Sequence, residues 1–218
     1  YVFFYDDVFC LKLDWLVKFK ALYKKHFPNT PYICLLRPEM AKDERRMKLL
    51  SESGCMEVHM GVESGSYKYR TTMLGRHMSN EVILRACDNL KKYNMRITTF
   101  LMVGMPDESC LDMLKSLVFI WKIRPTGMQT GIFYPLKGTP SYDYCAKNNL
   151  INWKKRKELV VYTYDTSLNV GFLKRYFIIL CKWLLSGIPI LAHFDFQLIP
   201  KFFKIQYKLW FQRRIDYT

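Results

Sequence analysis

Five short apolar segments alternate with segments of helical spacing through the first 135 residues of the chain. The apolar segments are Tyr1–Tyr5, Tyr32–Leu36, Cys55–Val62, Arg96–Val103 and Met128–Tyr134. The helical segments are Leu11–Phe27, Ala41–Ser53, a segment capped by Ser79, and Ser109–Ile123. Alternation of this kind predicts a parallel sheet with crossover helices. The alternation is compatible with a barrel and with an open sheet. No glycine-rich phosphate loop follows any strand, which disfavours an open nucleotide-binding sheet.

Polar or conformationally special residues follow every predicted strand. They are Asp6 and Asp7, Arg37, Glu63, Gly104 and Pro135. The carboxyl ends of parallel strands share one edge of a sheet, and both architectures build their sites along that edge. We therefore expect a functional site there.

The chain is rich in apolar residues and strongly basic. Half of the residues are hydrophobic, so a sizeable core can form. Lysine and arginine number 34 against 19 acidic residues, which gives a formal charge of +15. Such an excess indicates contact with something anionic (nucleic acid, a membrane surface or an acidic substrate) or simply a basic solvated surface.

Seven cysteines are scattered along the chain without the close spacing of a metal site. The odd number and the lack of a secretory signal argue against a disulfide framework and for a reducing compartment. We predict that each cysteine is a small buried hydrophobe. His59 and His77 have no partner at metal spacing and are predicted to be structural.

The character of the chain changes after about residue 150. A basic run spans Lys154–Lys157, and the most apolar stretch, Tyr176–Phe194, is interrupted by Lys182 and Pro189. A spanning helix needs about 20 clean apolar residues. We therefore expect a buried or surface-lying helix pair without a transmembrane span. Four aromatic residues are predicted to be packed: Phe172, Trp183, Phe194 and Trp210.

An ordered set of motifs resembles one family. The strings are Tyr5-Asp6-Asp7-Val8-Phe9, Gly61-Val62-Glu63-Ser64-Gly65-Ser66, Leu74-Gly75-Arg76-His77-Met78-Ser79, Gly104-Met105-Pro106-Asp107-Glu108-Ser109 and Tyr134-Pro135-Leu136-Lys137-Gly138-Thr139-Pro140. In this order they are similar to the radical S-adenosylmethionine (radical SAM) barrel. The branch they resemble most carries an upstream cobalamin-binding domain and includes the anaerobic magnesium-protoporphyrin monomethyl ester cyclase.

The resemblance implies an α/β fold, a partial TIM-type (β/α) barrel with parallel strands and outer helices. Residues 1–145 would form the core barrel, and residues 146–218 a basic, aromatic, mainly helical region. The implied S-adenosylmethionine-binding residues are Tyr5, Asp6, Asp7, Glu63, Ser64, Arg76, Gly104, Pro106, Glu108 and Tyr134.

The same resemblance implies a role for several of these residues. Glu63 would accept both ribose hydroxyls, and Arg76 would hold the methionyl carboxylate as a two-pronged ion pair. Tyr5–Asp7 would take the ammonium group. The Gly104–Glu108 turn and Tyr134 would flank the adenine.

One departure from the family is large. Such enzymes hold a 4Fe–4S cluster with three cysteines spaced Cys-x3-Cys-x2-Cys, and no cysteine here has that spacing. The first barrel strand and the cluster loop would lie before Tyr1. The expectation is therefore an N-terminally truncated fragment, inactive alone, whose full-length parent cleaves S-adenosylmethionine to a 5′-deoxyadenosyl radical for oxidoreduction or methyl transfer.

Partners follow from the resemblance in the same way. They are a small-molecule substrate, an external electron donor and cobalamin through an upstream domain, in a cytoplasmic setting. Nucleic acid is a less favoured partner, and peripheral contact with a membrane stays open. Two alternatives also stay open: a tRNA-modifying methylthiotransferase-like enzyme and a non-catalytic basic binding protein.

Overall fold

A computed structural model describes residues 1–158 and 164–192 of the protein. Its five strands form one all-parallel sheet in the order β1-β2-β3-β4-β5, so each strand pairs with its neighbours in the chain. The strands are β1 (Val2–Phe4), β2 (Tyr32–Leu36), β3 (Cys55–Glu63), β4 (Arg96–Val103) and β5 (Gly127–Ile132). The helices are α1 (Leu13–His26), α2 (Pro38–Ala41), α3 (Glu44–Ser53), α4 (Tyr67–Thr72), α5 (Asn80–Lys92), α6 (Cys110–Ile123), α7 (Pro140–Lys147), α8 (Trp153–Glu158) and α9 (Phe172–Ala192). The predicted partial barrel with outer helices is confirmed.

The sheet has one covered face and one open face. Along β3, Val58, Met60 and Val62 are fully buried in the main core, where the helices pack. The alternate residues Glu57, His59, Gly61 and Glu63 are half-buried and point to the other, inner face. This period of two separates the packing surface from the surface that is free to bind a ligand.

Side-chain caps mark several helix starts, among them those of α3, α5 and α6. The Asp43 carboxylate accepts from the backbone N–H groups of Arg45 and Arg46, Ser79 accepts from Val82, and Ser109 accepts from Asp112. The cap at Asp43 also explains why the helix predicted to begin at Ala41 begins instead at Glu44, after the separate short helix α2. A capping side chain marks a helix start and disfavours a helix interior.

The first strand is not the buried strand that its composition indicates. Tyr1 and Tyr5 are about four-fifths exposed, at 78% and 80%. In the described part of the chain β1 pairs with β2 alone, so it is an edge strand. Its aromatic rings pack locally, with Phe4 against Phe9 and Phe19.

The C-terminal region also differs from its prediction. In place of the expected helix pair, Phe172–Ala192 forms the single helix α9, which continues through Lys182 and Pro189. Phe172 and Trp183 are 69% and 68% exposed, so the prediction that they pack is wrong, while Phe194 and Trp210 lie outside the described residues. By length and composition α9 is able to cross a membrane, with 22% of its apolar window buried in the protein. Its buried residues Ile178, Cys181, Leu185 and Ile188 all belong to the main core.

Candidate functional site

The turn that leaves β3 has an unusual backbone. The pairing of β3 with β4 shifts register between Gly61 and Glu63, so Val62 forms a bulge. Glu63 then adopts a positive φ of 66°, and the Ser64 N–H donates to the Val62 carbonyl at 2.8 Å. A positive φ at a residue other than glycine costs about 1–3 kcal/mol and concentrates at functional sites. Bulges likewise redirect side chains beside binding sites.

Arg76 lies against the redirected carboxylate. Its guanidinium Nη2 is 3.2 Å from Glu63 Oε1, and the two side chains are 39% and 15% exposed. Burial raises the pKa of Glu63 above its usual value, and the positive charge of Arg76 partly offsets that rise. A Cβ on Gly61 would come within 2.4 Å of Glu63 Oε1 and 2.9 Å of Arg76 Nη1. Glycine at position 61 is therefore what lets the pair lie over the strand.

The Glu63 carboxylate borders a cleft of about 260 Å³ on the inner face of the sheet. The other lining residues come from β4 and β5: Phe100, Leu101, Met102, Gln129 and Gly131. Nothing lies within 4 Å of where a Cβ on Gly131 would stand, so the cleft is open at that point. A carboxylate, an amide and apolar walls match a ligand that combines hydroxyl groups with a flat ring. The polar groups and apolar walls of this cleft are therefore of the kinds that bind a ribose and its base.

A buried arginine supports the turn from behind. Arg70 is fully buried and donates to the Ser64 carbonyl, to the Met78 carbonyl at 3.2 and 3.3 Å, and to the Asn80 side chain. It thereby ties the residues after Glu63 to the segment after Arg76. Sequence reasoning missed Arg70, because an arginine within six residues of weak helical pattern has no signal that separates it from a solvated charge.

The turn also packs closely on helix α6. The Gly65 N–H donates to Ser116 Oγ at 2.9 Å, and Ser64 Oγ lies 3.5 Å from the same oxygen. A Cβ on Gly65 would approach Ser116 Cα to 2.4 Å. Ser64, predicted as a ligand, therefore directs its fully buried hydroxyl at α6 and away from the cleft.

The turn after β4 holds a second glutamate, which is fully buried. Glu108 Oε2 accepts from the backbone N–H groups of Gly104 and Met105 at 2.7 and 3.0 Å, while Oε1 has no partner in the described structure. Burial raises the pKa of Glu108 to about 7, against the lowering effect of the two N–H groups. Gly104 has a φ of 75°, and the Ile178 side chain lies 2.9 Å from where its Cβ would be. Glu108 thus fixes the turn from inside.

The remaining predicted ligands lie elsewhere. Tyr5, Asp6 and Asp7 are exposed, and Asp6 borders a separate cleft with Phe9 and Trp15. Pro106 is buried. The Tyr134 hydroxyl donates to the Arg156 carbonyl at 3.2 Å, beyond the end of β5. Arg76 also lines a polar cleft with Arg37 and His77. Of the predicted set, the structure joins Glu63 and Arg76 directly but does not gather all the residues around one cavity.

A polar cluster deeper on the inner face was not anticipated. Glu57 accepts from Thr98 at 2.7 Å, pairs with Arg96 at 3.0 Å and lies 2.9 Å from His59 Nε2. Rings of Phe3 and Phe100 meet the His59 ring edge-on at 5.0 and 5.6 Å. Glu57 thus joins Thr98, Arg96 and His59 in one set of polar contacts. This arrangement is in keeping with the structural role predicted for His59.

No group of three or more metal-ligating side chains occurs within residues 1–158 and 164–192. All seven cysteines are free, and all but Cys110 are buried, which confirms six of them as small core residues. The described residues therefore fit an adenosyl ligand but not an iron–sulfur cluster.

Parts of the chain are similar to known proteins. Residues 1–120, more than half of the chain, match the model of the radical SAM superfamily. A methyltransferase from Pyrococcus horikoshii, described as uncharacterized, is 28% identical over 116 residues, which cover 52% of this chain and 25% of the relative. A tRNA-2-methylthio-N(6)-dimethylallyladenosine synthase from Clostridium tetani is 31% identical over 91 residues, 41% of this chain and 20% of the relative. The chain thus spans a quarter or less of the length of these relatives.

One solved structure shows the likeness of fold. It is the radical S-adenosylmethionine methyltransferase TsrM from Kitasatospora setae, with cobalamin and a 4Fe–4S cluster bound. It superposes with a TM-score of 0.58 at 16% identity, covering 67% of this chain and 28% of that one.

Proposed function

Because the chain belongs to the radical SAM superfamily, we propose that it binds S-adenosylmethionine on the inner face of its sheet. Glu63 accepts the ribose hydroxyls, and Arg76 turns from Glu63 to the methionyl carboxylate. The observation that carries the proposal is the Glu63–Arg76 pair, whose glutamate borders the inner cleft and follows a bulge with a positive φ. Tyr5–Asp7 and Tyr134 remain proposed contacts to the ammonium and adenine groups.

The chain's own residues supply binding and orientation. A carboxylate in a half-buried site accepts hydroxyl donors more strongly than it would in water. Arg76 offers a planar fork to a carboxylate. Burial raises the pKa of Glu63 and makes the carboxylate costly to leave unpaired, so a ligand that displaces Arg76 has to supply hydrogen-bond donors such as two hydroxyls.

We propose that the cluster cysteines are not among the seven cysteines of this chain and that the chain alone does not cleave the ligand. When bound, a 4Fe–4S cluster supplies the electron for reductive cleavage of the sulfonium, which yields a 5′-deoxyadenosyl radical. The reaction class is methyl transfer or oxidoreduction on a small molecule with an external electron donor. The likeness to TsrM and to the Pyrococcus relative supports methyl transfer linked to cobalamin. Free, buried cysteines support a cytoplasmic setting.

Isothermal titration of the cluster-reconstituted full-length protein with S-adenosylmethionine tests the residue assignment. Glu63→Ala removes a charge-assisted hydrogen bond worth about 1.5–3 kcal/mol, so affinity should fall roughly ten- to a hundredfold. Glu57→Gln is the matched control, because Glu57 lies on the same face of the same strand with the same 15% exposure as Glu63. Equal affinity in wild type and Glu63→Ala, with the fold intact by circular dichroism, would remove Glu63 from the site.

A second candidate is a tRNA-modifying methylthiotransferase-like enzyme. The Clostridium relative and the formal charge of +15 favour it. It requires tRNA binding that weakens steeply with salt, because lysine and arginine contacts to phosphate release counterions. Salt-dependent tRNA binding together with S-adenosylmethionine binding would favour this candidate. The same tRNA binding without any S-adenosylmethionine binding would favour a non-catalytic binding protein.

A further inference from the structure

Helix α9 has two apolar faces, and the protein covers one of them. Ile178, Cys181, Leu185 and Ile188 pack in the main core against β5 and α6. On the other side a row spaced three and four residues apart is about half to four-fifths exposed. This outer apolar row comprises Leu173 (83%), Tyr176 (52%), Leu180 (51%), Trp183 (68%), Leu184 (48%) and Leu191 (55%).

The neighbouring helix α6 repeats the pattern. Leu111, Leu114, Val118 and Trp121 follow the same spacing and are 62%, 44%, 58% and 45% exposed. The outward face of α5 in the same layer is different, because its exposed residues are charged, among them Glu81, Arg85 and Asp88. An ordinary outer helix has a polar outward face, and a large exposed apolar surface marks a contact site. The contact site therefore belongs to the α6 and α9 side of the barrel.

The charged residues of α6 and α9 are almost all basic. The two helices and their caps, residues 109–124 and 172–192, carry six basic residues and one acidic residue, Asp112. The sequence that continues from α9, residues 193–218, has five basic and two acidic residues among many aromatics. Trp183 and Tyr176 are residue types that combine an apolar ring with a polar atom and favour the boundary between lipid and water. The Lys182 ammonium lies 6.0 Å from the Trp183 ring centre.

We propose that the outer apolar row of α9, with the exposed row of α6 beside it, docks the protein on an anionic membrane surface. The helix lies in the plane of the headgroups and does not cross the bilayer, because its opposite face is part of the protein core. Apolar burial and attraction of basic residues to anionic lipid act together in such contacts. A second copy is the less favourable occupant, because it would bring two strongly positive faces together. The proposal does not depend on the adenosyl site.

Vesicle flotation of the full chain tests the proposal. We expect the protein to float with vesicles of phosphatidylcholine mixed with phosphatidylglycerol, to float poorly with phosphatidylcholine alone, and to be released by salt. The variant Leu180→Glu/Trp183→Glu should lower vesicle affinity at least about tenfold, because both positions lose their apolar burial and place a carboxylate against anionic lipid. Leu22→Glu is the control, because Leu22 is 59% exposed on α1, beside the opposite edge strand.

Three results would overturn the proposal: no flotation, equal flotation with neutral vesicles, or equal loss of flotation in the Leu22→Glu control. Light scattering after gel filtration distinguishes the second-copy alternative. A dimer abolished by the α9 variant, in a protein that does not float, would assign the face to self-association. Thermal unfolding of the variants shows whether they fold. If the double variant unfolds, Leu173→Glu, at the most exposed position of the row, replaces it with the same expected loss of flotation.

Discussion

The turns after β3 and β4 each contain a glutamate, and the two carboxyl groups have opposite situations. Glu63 faces the inner cleft and is paired with Arg76, whose side chain is 39% exposed. Glu108 faces the protein interior and accepts from two backbone N–H groups of its own turn. Both pKa values are raised by burial. Of these two glutamates, only Glu63 is a ligand candidate, because its backbone directs its side chain into the cleft and not into the core.

Removal of Arg70, which holds the turn after β3, should cause the largest loss of stability. Arg70→Ala leaves the Ser64 and Met78 carbonyls buried without donors, so we expect a loss of about 3–5 kcal/mol in the free energy of unfolding. Urea unfolding measures it. Arg85→Ala, at an exposed site on α5, should change the free energy by less than about 0.5 kcal/mol. Similar small losses in both variants would show that Arg70 does not hold the turn.

The buried carboxyl group of Glu108, in the turn after β4, should make the stability of the protein depend on pH. The pKa of Glu108 is raised from 4.5 to about 7 in the folded protein, so its contribution is fully present below pH 4.5 and is lost as pH rises through 7. Glu108→Gln stays neutral, and its stability relative to wild type should therefore rise between pH 5 and pH 8 by up to about 3 kcal/mol. Denaturant unfolding at several pH values measures this.

The matched control for that experiment is Glu39→Gln, an exposed glutamate on α2. It measures the effect of the substitution itself at an exposed site, where we expect less than about 0.5 kcal/mol. A pH-independent difference for Glu108→Gln would mean that its carboxyl ionises in the fold as it does in the unfolded chain.

The close approach of the β3 turn to α6 predicts a steric effect. Gly65→Ala places a methyl group 2.4 Å from a backbone atom of Ser116, so the turn or the helix must shift. We expect a loss of about 1–3 kcal/mol in unfolding free energy. Gly131→Ala has free space at its Cβ and should unfold like wild type, which separates crowding from a general effect of removing glycine.

The smallest expected effect on stability is at the ligand candidate itself. Glu63→Gln removes a partly exposed ion pair, which contributes about 0–1 kcal/mol, and also removes a charge that burial disfavours. The unfolding free energy should stay within about 0.5 kcal/mol of wild type while ligand affinity falls. A large loss of stability would place Glu63 with Glu108, as a structural residue.

Sequence patterns were sufficient to predict the sheet and its helices, because period-two burial and helix caps are local signals. Ser79 and Ser109 start their helices as predicted, and Arg96–Val103 is the predicted strand. The motifs also placed Glu63 and Arg76 at one site, but their direct ion pair was not predicted. Ligand binding at these residues stays a prediction.

Three features escaped because their causes are not local. The burial of Arg70 depends on carbonyl groups from two separate segments. The inward turn of Glu108 depends on the backbone N–H groups it meets, which composition does not reveal. The exposure of Trp183 depends on which side of α9 the sheet covers, and a helix that is apolar on both sides has no polar stripe to mark its outer face.

The ion pair between Arg76 and Glu63 makes the protein its own competitor. The contact joins a guanidinium nitrogen to a carboxylate oxygen, so a ligand that binds as proposed must displace it. A molecule that offers both a diol and a carboxylate would replace both halves of the pair at once, whereas adenosine or methionine alone would replace one half. If the proposed site is correct, the intact ligand should bind more tightly than its two fragments predict by simple addition.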